Sequence, residues 1–295
     1  MSRDDVLEVR YVGSKGTHLD TSHLNFNSPD PDPTARDIQS RRPYPQFGRI
    51  RMWDDDGNSN YHSMQTRFEH RLAQRLSLTL AHTWSHLIDD QMGGLNGARS
   101  LAQNRLRNRD NMRADSADDL RHVLVIGYVW DLPFGSSLTG APAALLKGWL
   151  LGGIVSFRRG SKINVTQDGD ALNTDPQGDI RPNVLPGAGP TLPDSQRTLE
   201  RWFNTAGFQR ATLTYGTSPR NPLVGPGLKT FDLSLSKSFR VREGQRLEFR
   251  LEGFNAFNTP QFSNPGGTLG SANFGRIQGT RTNNREMQLA LKYLF

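Results

Sequence analysis

Apolar and polar residues alternate along several long segments of the chain. Between Arg246 and Glu252, three apolar residues alternate with charged ones, and between Leu76 and Trp84 apolar residues alternate with Ser, Thr and Ala. Successive side chains of a β-strand point to opposite faces of its sheet, so each segment predicts a strand with one apolar and one polar face. Helical periodicity is scarce, and only 141–148 suggests a short helical turn. The pattern therefore predicts an all-β fold.

The alternating segments predict about eight long strands, joined by long and short connections in turn. The predicted bounds are 5–13, 60–72, 76–87, 120–133, 148–160, 230–239, 246–257 and 286–295. Outer-membrane barrels have short periplasmic turns and long extracellular loops, whereas a soluble sandwich has no reason to keep its long loops at one end. Most segments also reach the ~9–11 residues of a tilted bilayer-spanning strand. We therefore predict an antiparallel transmembrane β-barrel segment.

Composition excludes several other classes of protein. The 295 residues include no cysteine, which excludes disulfides and cysteine-ligated metals. The longest apolar run, 123–130, is far short of the ~20 residues of a spanning helix. The net charge of +7 is spread among both signs without a basic run, so we expect no nucleic-acid partner.

Charged residues on two regions of the predicted sheet form the candidate lumen wall. They are Arg67, Glu69, Arg71, Arg246, Glu248, Arg250 and Glu252. Opposite charges on neighbouring strands can pair on the polar face of a barrel, away from lipid. The opposing apolar face is expected to contact outer-membrane lipid, with aromatic residues at the level of the headgroups. The predicted girdles comprise Trp130, Trp149, Phe239, Tyr293 and Phe295 on the periplasmic side and Tyr61, Trp84 and Phe157 on the outer side.

The last strand carries a second candidate site. Five apolar residues recur with period two up to the final residue, and they are Met287, Leu289, Leu291, Tyr293 and Phe295. Outer-membrane proteins resemble one another in ending on a strand with a terminal aromatic residue, which the barrel assembly machinery reads. We therefore predict that these residues form an assembly signal.

Other chemistry is sparse. His82 and His86 would lie ~13 Å apart on a strand, which makes a weak metal pair. Asp54–Gly57 lacks the spacing and the bidentate Glu of a calcium loop, and we predict an acidic hairpin tip there. We expect no catalytic residues, no cofactor and no metal, and therefore no enzyme. A four-residue repeat, at 47–50 and 274–277, predicts two short β-extensions above the membrane.

Several passages resemble the C-terminal barrel portion of TonB-dependent outer-membrane receptors, in particular the Oar-like group with a carboxypeptidase-regulatory-like domain. They include Glu8–Leu19, Asn60–Gln65, Thr83–Ser85, Arg121–His122, Leu132–Gly135, Arg181–Asn183, Trp202–Thr205, Gly225–Gly227, Phe231–Leu235, Phe254–Asn258 and Leu289–Phe295. They follow one another over nearly the whole chain.

The resemblance implies a role in the outer membrane. Such receptors resemble ~22-stranded barrels with a plugged lumen that take up a siderophore, an oligosaccharide or another nutrient. Their signal peptide, TonB-contacting box and plug are not found in this sequence, so we predict that 1–295 is the C-terminal part of such a barrel and contacts TonB only through the missing N-terminal part. The ligand is not indicated.

Two alternatives stay open at this point. An even number of strands also permits an autonomous small barrel that acts as an adhesin or an anchor. Alternation alone also permits a soluble β-sandwich that acts as a binding module.

Overall fold

A computed structural model describes residues 4–23, 25–34, 36–72, 75–90, 112–175 and 180–295. Eight long strands dominate it. They are β1 (Asp5–His23), β2 (Met52–Leu72), β3 (Leu76–Asp89), β4 (His122–Asp131), β5 (Trp149–Arg158), β6 (Leu228–Arg242), β7 (Gln245–Phe254) and β8 (Glu286–Leu294). No helix among the described residues is long and apolar enough to cross a membrane.

The eight strands form one antiparallel meander. Each strand pairs with the next one along the chain, so the spatial order is β1 to β8 and the two edges are β1 and β8. This arrangement confirms the predicted all-β, antiparallel fold. It differs from the two packed sheets of a sandwich, and that alternative is wrong.

The first two strands are longer than predicted. β1 continues to His23 and β2 begins at Met52, so Asp54–Gly57 lies inside β2 and pairs with β1. The predicted hairpin tip at these residues is therefore wrong. Polar residues occupy both faces of this outer part, and its register shifts near Leu19, so it lacks the alternation that marks the other strands.

Long and short connections lie at opposite ends of the sheet. The short turns are 73–75, 132–148 and 243–244, and the long loops are 24–51, 90–121, 159–227 and 255–285. The first loop contains a helix, α1 (Ile38–Arg41), and the turn 132–148 contains another, α2 (Gly140–Leu146), close to the predicted helical turn. In an outer-membrane barrel the short turns are periplasmic and the long loops extracellular.

The long loops, which we call the outer loop layer, contain only short regular elements in the residues that the structure describes. Two-residue strands occur at Ala114–Asp115, Lys162–Ile163, Thr166–Gln167, Asn183–Val184, Phe208–Gln209, Leu223–Val224 and Thr268–Leu269, and 3₁₀ turns occur at Asp194–Gln196 and Thr205–Gly207. Every buried hydrophobic residue in the described part of the chain lies in this layer and not in β1–β8. The loops therefore have a core of their own.

The loop 159–227 is closed at its base, where its two ends cross. Lys162–Ile163 pairs with Leu223–Val224, and the Gly225 amide donates to the Ser161 carbonyl at 2.9 Å. A Cβ added at Gly160 would lie 1.8 Å from the Gly225 carbonyl oxygen, so only glycine allows this approach. This crossing forms a narrow neck between the loop and the sheet.

The four-residue repeat does not form the predicted β-extensions. Residues 47–50 are irregular, and Phe274 makes only a single parallel bridge to Gly266. Gly275 has a positive φ of 80°, which turns the backbone away from an extended path. The two copies also differ in environment, since Phe47 is exposed whereas Phe274 packs into the loop core.

Candidate functional site

The strand register assigns all seven residues of the predicted lumen wall to one face of the sheet, which we call the charged face. Directly opposite residues of an antiparallel pair share a face. Successive pairs connect Arg67 through β3, β4 and β5 to Thr230 on β6. Ser236 lies on the same face of β6 and is opposite Arg250. The common face agrees with the prediction, and the role of these residues as a lumen wall stays a prediction.

Ion pairs run along the strands of the charged face. Arg246 lies 3.1 Å from Glu248, Arg250 lies 3.6 Å from Glu252, and Arg67 also pairs with Glu69. Each pair is partly exposed, so each contributes little to the free energy of folding. Their main effect is to make this face suited to water rather than to hydrocarbon.

The charged face is interrupted by an aliphatic patch on β4 and β5. Val125, Val129, Leu150 and Ile154 belong to this face by register, and they are 36–53% exposed. Gly127 and Gly152 lie between them and leave a shallow groove. The sequence showed apolar residues on both sides of these strands, but it did not show that they form one continuous patch.

The five predicted assembly-signal residues lie at the edge and end of the opposite, apolar face. Leu291 is opposite Phe249, and Tyr293 is opposite Leu247. Met287, Leu289, Leu291 and Tyr293 are 49–68% exposed, and Phe295, just beyond the end of β8, is 95% exposed. This edge presents an apolar stripe together with unpaired backbone groups, as a strand awaiting a partner would. That the barrel assembly machinery recognises this edge stays a prediction.

Six of the eight predicted girdle residues lie on the apolar face at the predicted ends of the strands, and Phe295 lies just beyond β8, where the strand register does not assign it to a face. Trp130, Trp149, Phe239 and Tyr293 lie on the apolar face near the periplasmic turns, and Trp84 and Phe157 lie on it near the outer loops. Tyr61 is opposite Ser14 and Leu87, which places it on the charged face. Tyr61 therefore does not belong to the outer girdle, because it is an odd number of residues from Met64 and Phe68 on the same strand, so its side chain points to the opposite face.

A cluster of charged side chains lies at the outer end of β3. His86 Nε2 is 2.8 Å from Asp115 Oδ1, and Arg121 donates to Asp119 at 2.9 Å and to Asp115 at 3.2 Å. Lys162 also donates to Asp115. Burial alone would raise the pKa of Asp115, but the hydrogen bonds from Lys162 and His86 outweigh it and lower the pKa to about 2.

The same cluster contains three possible metal ligands. Ligand atoms of His86, Asp115 and Asp119 lie within 4.8 Å of one another. However, Lys162 and Arg121 already contact both carboxylates, and a cation there would compete with them. The arrangement therefore suits an ion-pair network better than a metal centre. His82 does not join it, because its ring stacks on that of His122 with centroids 5.6 Å apart.

Ion pairs between distant parts of the sequence join the outer loops. Asp175 accepts from Arg42 at 2.6 Å and also pairs with Arg49, which links the first loop to the third. The hydrogen bond from Arg49 is the main cause of the lowered pKa of Asp175. Asp89 at the end of β3 is 1% exposed and accepts from Arg220 at 2.7 Å. No local pattern in the sequence identifies these partners.

Three phenylalanine rings form the centre of the outer loop layer. Phe203, Phe208 and Phe274 pack edge to face with centroids 5.1–5.9 Å apart. Trp202 packs against this cluster and donates its indole N–H to the Val224 carbonyl at 2.9 Å. Because Phe274 comes from the last loop and the other two rings from the third, the cluster holds both loops in one body.

Comparison with known proteins identifies the family. The family model described as "Outer membrane beta barrel domain" matches residues 1–288. The crystal structure of the outer membrane transporter YddB from Escherichia coli is similar, with 8% identity and a TM-score of 0.48, over 100% of this chain and 31% of that chain. No curated protein matches the sequence. Together with the single antiparallel meander and its short and long connections, the match over residues 1–288 shows that the chain belongs to the outer membrane beta barrel domain family and lies in the outer membrane.

Proposed function

We propose that this barrel belongs to a TonB-dependent, Oar-like receptor that takes up a nutrient such as a siderophore or an oligosaccharide. The observation that carries the proposal is the outer loop layer, which has its own buried aromatic core and cross-loop ion pairs. A barrel that serves only as an anchor does not need ordered loops of this size. Folded loops can hold ligand-binding side chains in fixed positions at the mouth of a barrel.

The two faces of the sheet support a transporter wall. The charged face, with Arg67, Glu69 and Arg250 among its residues, would line a polar lumen, and the apolar face would contact lipid. The aliphatic patch on the charged face would contact whatever fills the lumen, because exposed aliphatic side chains are unfavourable beside bulk water.

The two unpaired edges of the sheet support a larger barrel in the intact protein. In the described chain β1 and β8 do not pair with each other, and a membrane-spanning sheet must pair both edges. We propose that further strands pair with them. The partners would then be outer-membrane lipid, the barrel assembly machinery acting on β8, and TonB acting through another part of the protein. Neither enzymatic chemistry nor nucleic-acid binding is part of the proposal.

Nutrient uptake in the source bacterium tests the proposal. Labelled ferric siderophores, cobalamin and oligosaccharides are offered to the parent strain, to a strain without this gene and to a strain without TonB. We expect uptake of one nutrient class to be lost in both deletion strains. Restoring the gene with Phe203→Ala, which loosens the outer loop layer, should weaken uptake, and restoring it with Leu213→Ala at an exposed position should not.

A barrel that reaches the outer membrane normally but supports no TonB-dependent uptake would contradict the proposal. That result would favour the adhesin or anchor instead.

A further inference from the structure

An uncharged helix lies in the periplasmic turn between β4 and β5. The α2 residues Gly140–Leu146 read Gly-Ala-Pro-Ala-Ala-Leu-Leu, and none of them is buried. Leu145 and Leu146 are 63% and 49% exposed, and Phe134 in the same turn is 59% exposed. Short helices are marginal in water, and this one presents its largest apolar side chains outward. The apolar surface formed by Leu145, Leu146 and Phe134 therefore needs an apolar environment.

Two side chains of the apolar face attach the end of α2 to the sheet. The Trp149 indole N–H donates to the Leu145 carbonyl at 3.0 Å. Lys237 Nζ donates to the Leu145 carbonyl at 3.0 Å and to the Lys147 carbonyl. Trp149 and Lys237 are directly opposite each other, and Lys237 is also opposite Phe249. The last turn of α2 is therefore attached to the face that carries Phe249.

The position of Lys237 also needs an explanation, because a lysine on the lipid-facing side of a barrel is unfavourable. Lys237 is only 4% exposed, and its ammonium lies 4.8 Å from the Phe239 ring centroid and 5.5 Å from that of Trp149. The Leu145 and Lys147 carbonyls at the end of α2 accept hydrogen bonds from this ammonium, as is favourable at a helix C-terminus. The helix thus compensates a charge that the apolar face would otherwise leave exposed.

We propose that α2, together with Phe134, is an interfacial anchor that lies in the periplasmic leaflet of the outer membrane. The lipid leaflet is the occupant because the surface continues the lipid-facing wall at its periplasmic rim, beside the girdle residues Trp130 and Trp149. Helices that lie in the membrane interface place their apolar side chains at the boundary of headgroups and acyl chains. The inference rests on the proposed contact between the apolar face and lipid.

The absence of cysteine from the chain allows a direct test. Single substitutions Leu145→Cys, Leu291→Cys and Leu213→Cys are made in the full chain, spin-labelled and reconstituted in phosphatidylethanolamine and phosphatidylglycerol vesicles. Leu291 reports the wall, and Leu213, 67% exposed in the outer loop layer, reports water. We expect labels at 145 and 291 to collide several-fold less with a water-soluble nickel chelate, and more with oxygen, than the label at 213.

Labels at the three positions distinguish failure of the anchor proposal from failure of the lipid-facing assignment. A label at 145 that behaves like the one at 213, while 291 behaves as a lipid-facing position, would overturn the anchor but leave the wall assignment intact. Water-like behaviour at 291 would overturn the lipid-facing assignment itself, and the anchor with it.

Lys237→Met tests the attachment of the helix, because methionine keeps an apolar chain of similar length but cannot donate to the carbonyls. In the Leu145→Cys background we expect it to raise the mobility of the label and its collisions with the nickel chelate. Lys229→Met is the matched control, since Lys229 is on the same face of β6 at its outer end. Equal spectra for the two variants would show that Lys237 does not hold the helix.

Discussion

The sheet formed by β1–β8, which we call the wall, and the outer loop layer place apolar side chains in opposite environments. On the wall, Leu289 and Leu291 lie on the apolar face and are 68% and 65% exposed, and the strands contribute none of the buried hydrophobic residues of the described chain. In the loop layer, Phe203 and Val165 are 1% and 0% exposed. The difference shows that the two parts of the chain are suited to different environments. The wall depends on lipid to cover its apolar face, whereas the loop layer folds as a water-soluble domain does.

The largest effect on this comparison is expected from Phe203→Ala. Removing a fully buried ring should destabilise the loop layer by about 3–5 kcal/mol, because the cavity left behind cannot collapse fully. We expect faster trypsin cleavage of the outer loops on intact cells, with the barrel still heat-modifiable in gel electrophoresis. Leu213→Ala is the control. Loss of the barrel itself would show that wall and loops do not fold separately.

The wall is tested by Phe249→Arg. A cation on the lipid-facing side of a barrel is unfavourable, by about 2–4 kcal/mol at the middle of the bilayer and by less toward the interface where Phe249 contacts Trp149, so we expect poorer insertion into outer-membrane fractions. Arg250→Gln, at the next position on the charged face, should insert normally. Equal insertion of both variants would contradict the assignment of the two faces.

Deletion of Phe295 tests the end of the apolar stripe. We expect a several-fold lower level of the full-length receptor in the outer membrane, because the edge strand would lose the exposed aromatic residue at its end. Immunoblots of fractionated membranes measure the level. Ala290→Ser, on the opposite face of β8, should leave it unchanged, and an unchanged level after the deletion would contradict the assembly signal.

The smallest expected effect is a loss of stability of the outer loop layer at low pH. Because the folded-state pKa of Asp115 is lowered to about 2 from 3.8, its stabilising contribution is present above about 3.8 and is lost as the pH falls through 2. The contribution is about 1 kcal/mol, since solvent screens a partly exposed group. The protection of the amides in 114–121 against hydrogen exchange, relative to the intrinsic rate at each pH, should fall over this range, and Asp115→Asn should remove this pH dependence. The wall should show no such change.

The wall was largely predictable from the sequence, and the reasons are local. Period-two alternation gave β3 and β5–β8 to within a few residues, and the faces of Arg67 and Arg250 followed from it. The prediction failed where β1 and β2 leave the membrane, because both faces there meet water and alternation disappears. α2 was predicted as a turn, but its attachment through Lys237 was not, since that contact joins residues ninety positions apart.

The loop layer was not predictable beyond its existence. Its core joins Phe203 to Phe274, and its ion pairs join Arg42 to Asp175 and Asp89 to Arg220. Such pairs depend on how the loops cross in space, which no periodicity records.

The neck of loop 159–227 determines where this protein can diversify. Because the pairing of Lys162–Ile163 with Leu223–Val224 fixes both ends of the loop, extra residues beyond the neck change only the closure entropy, about 0.6 kcal/mol for each doubling of length. New loop surfaces can therefore evolve there without altering the barrel. The turn at the exposed Pro186 and Gly187 would accept a Gly-Ser insertion with normal barrel assembly, whereas Gly160→Ala would disturb the crossing and loosen the whole loop.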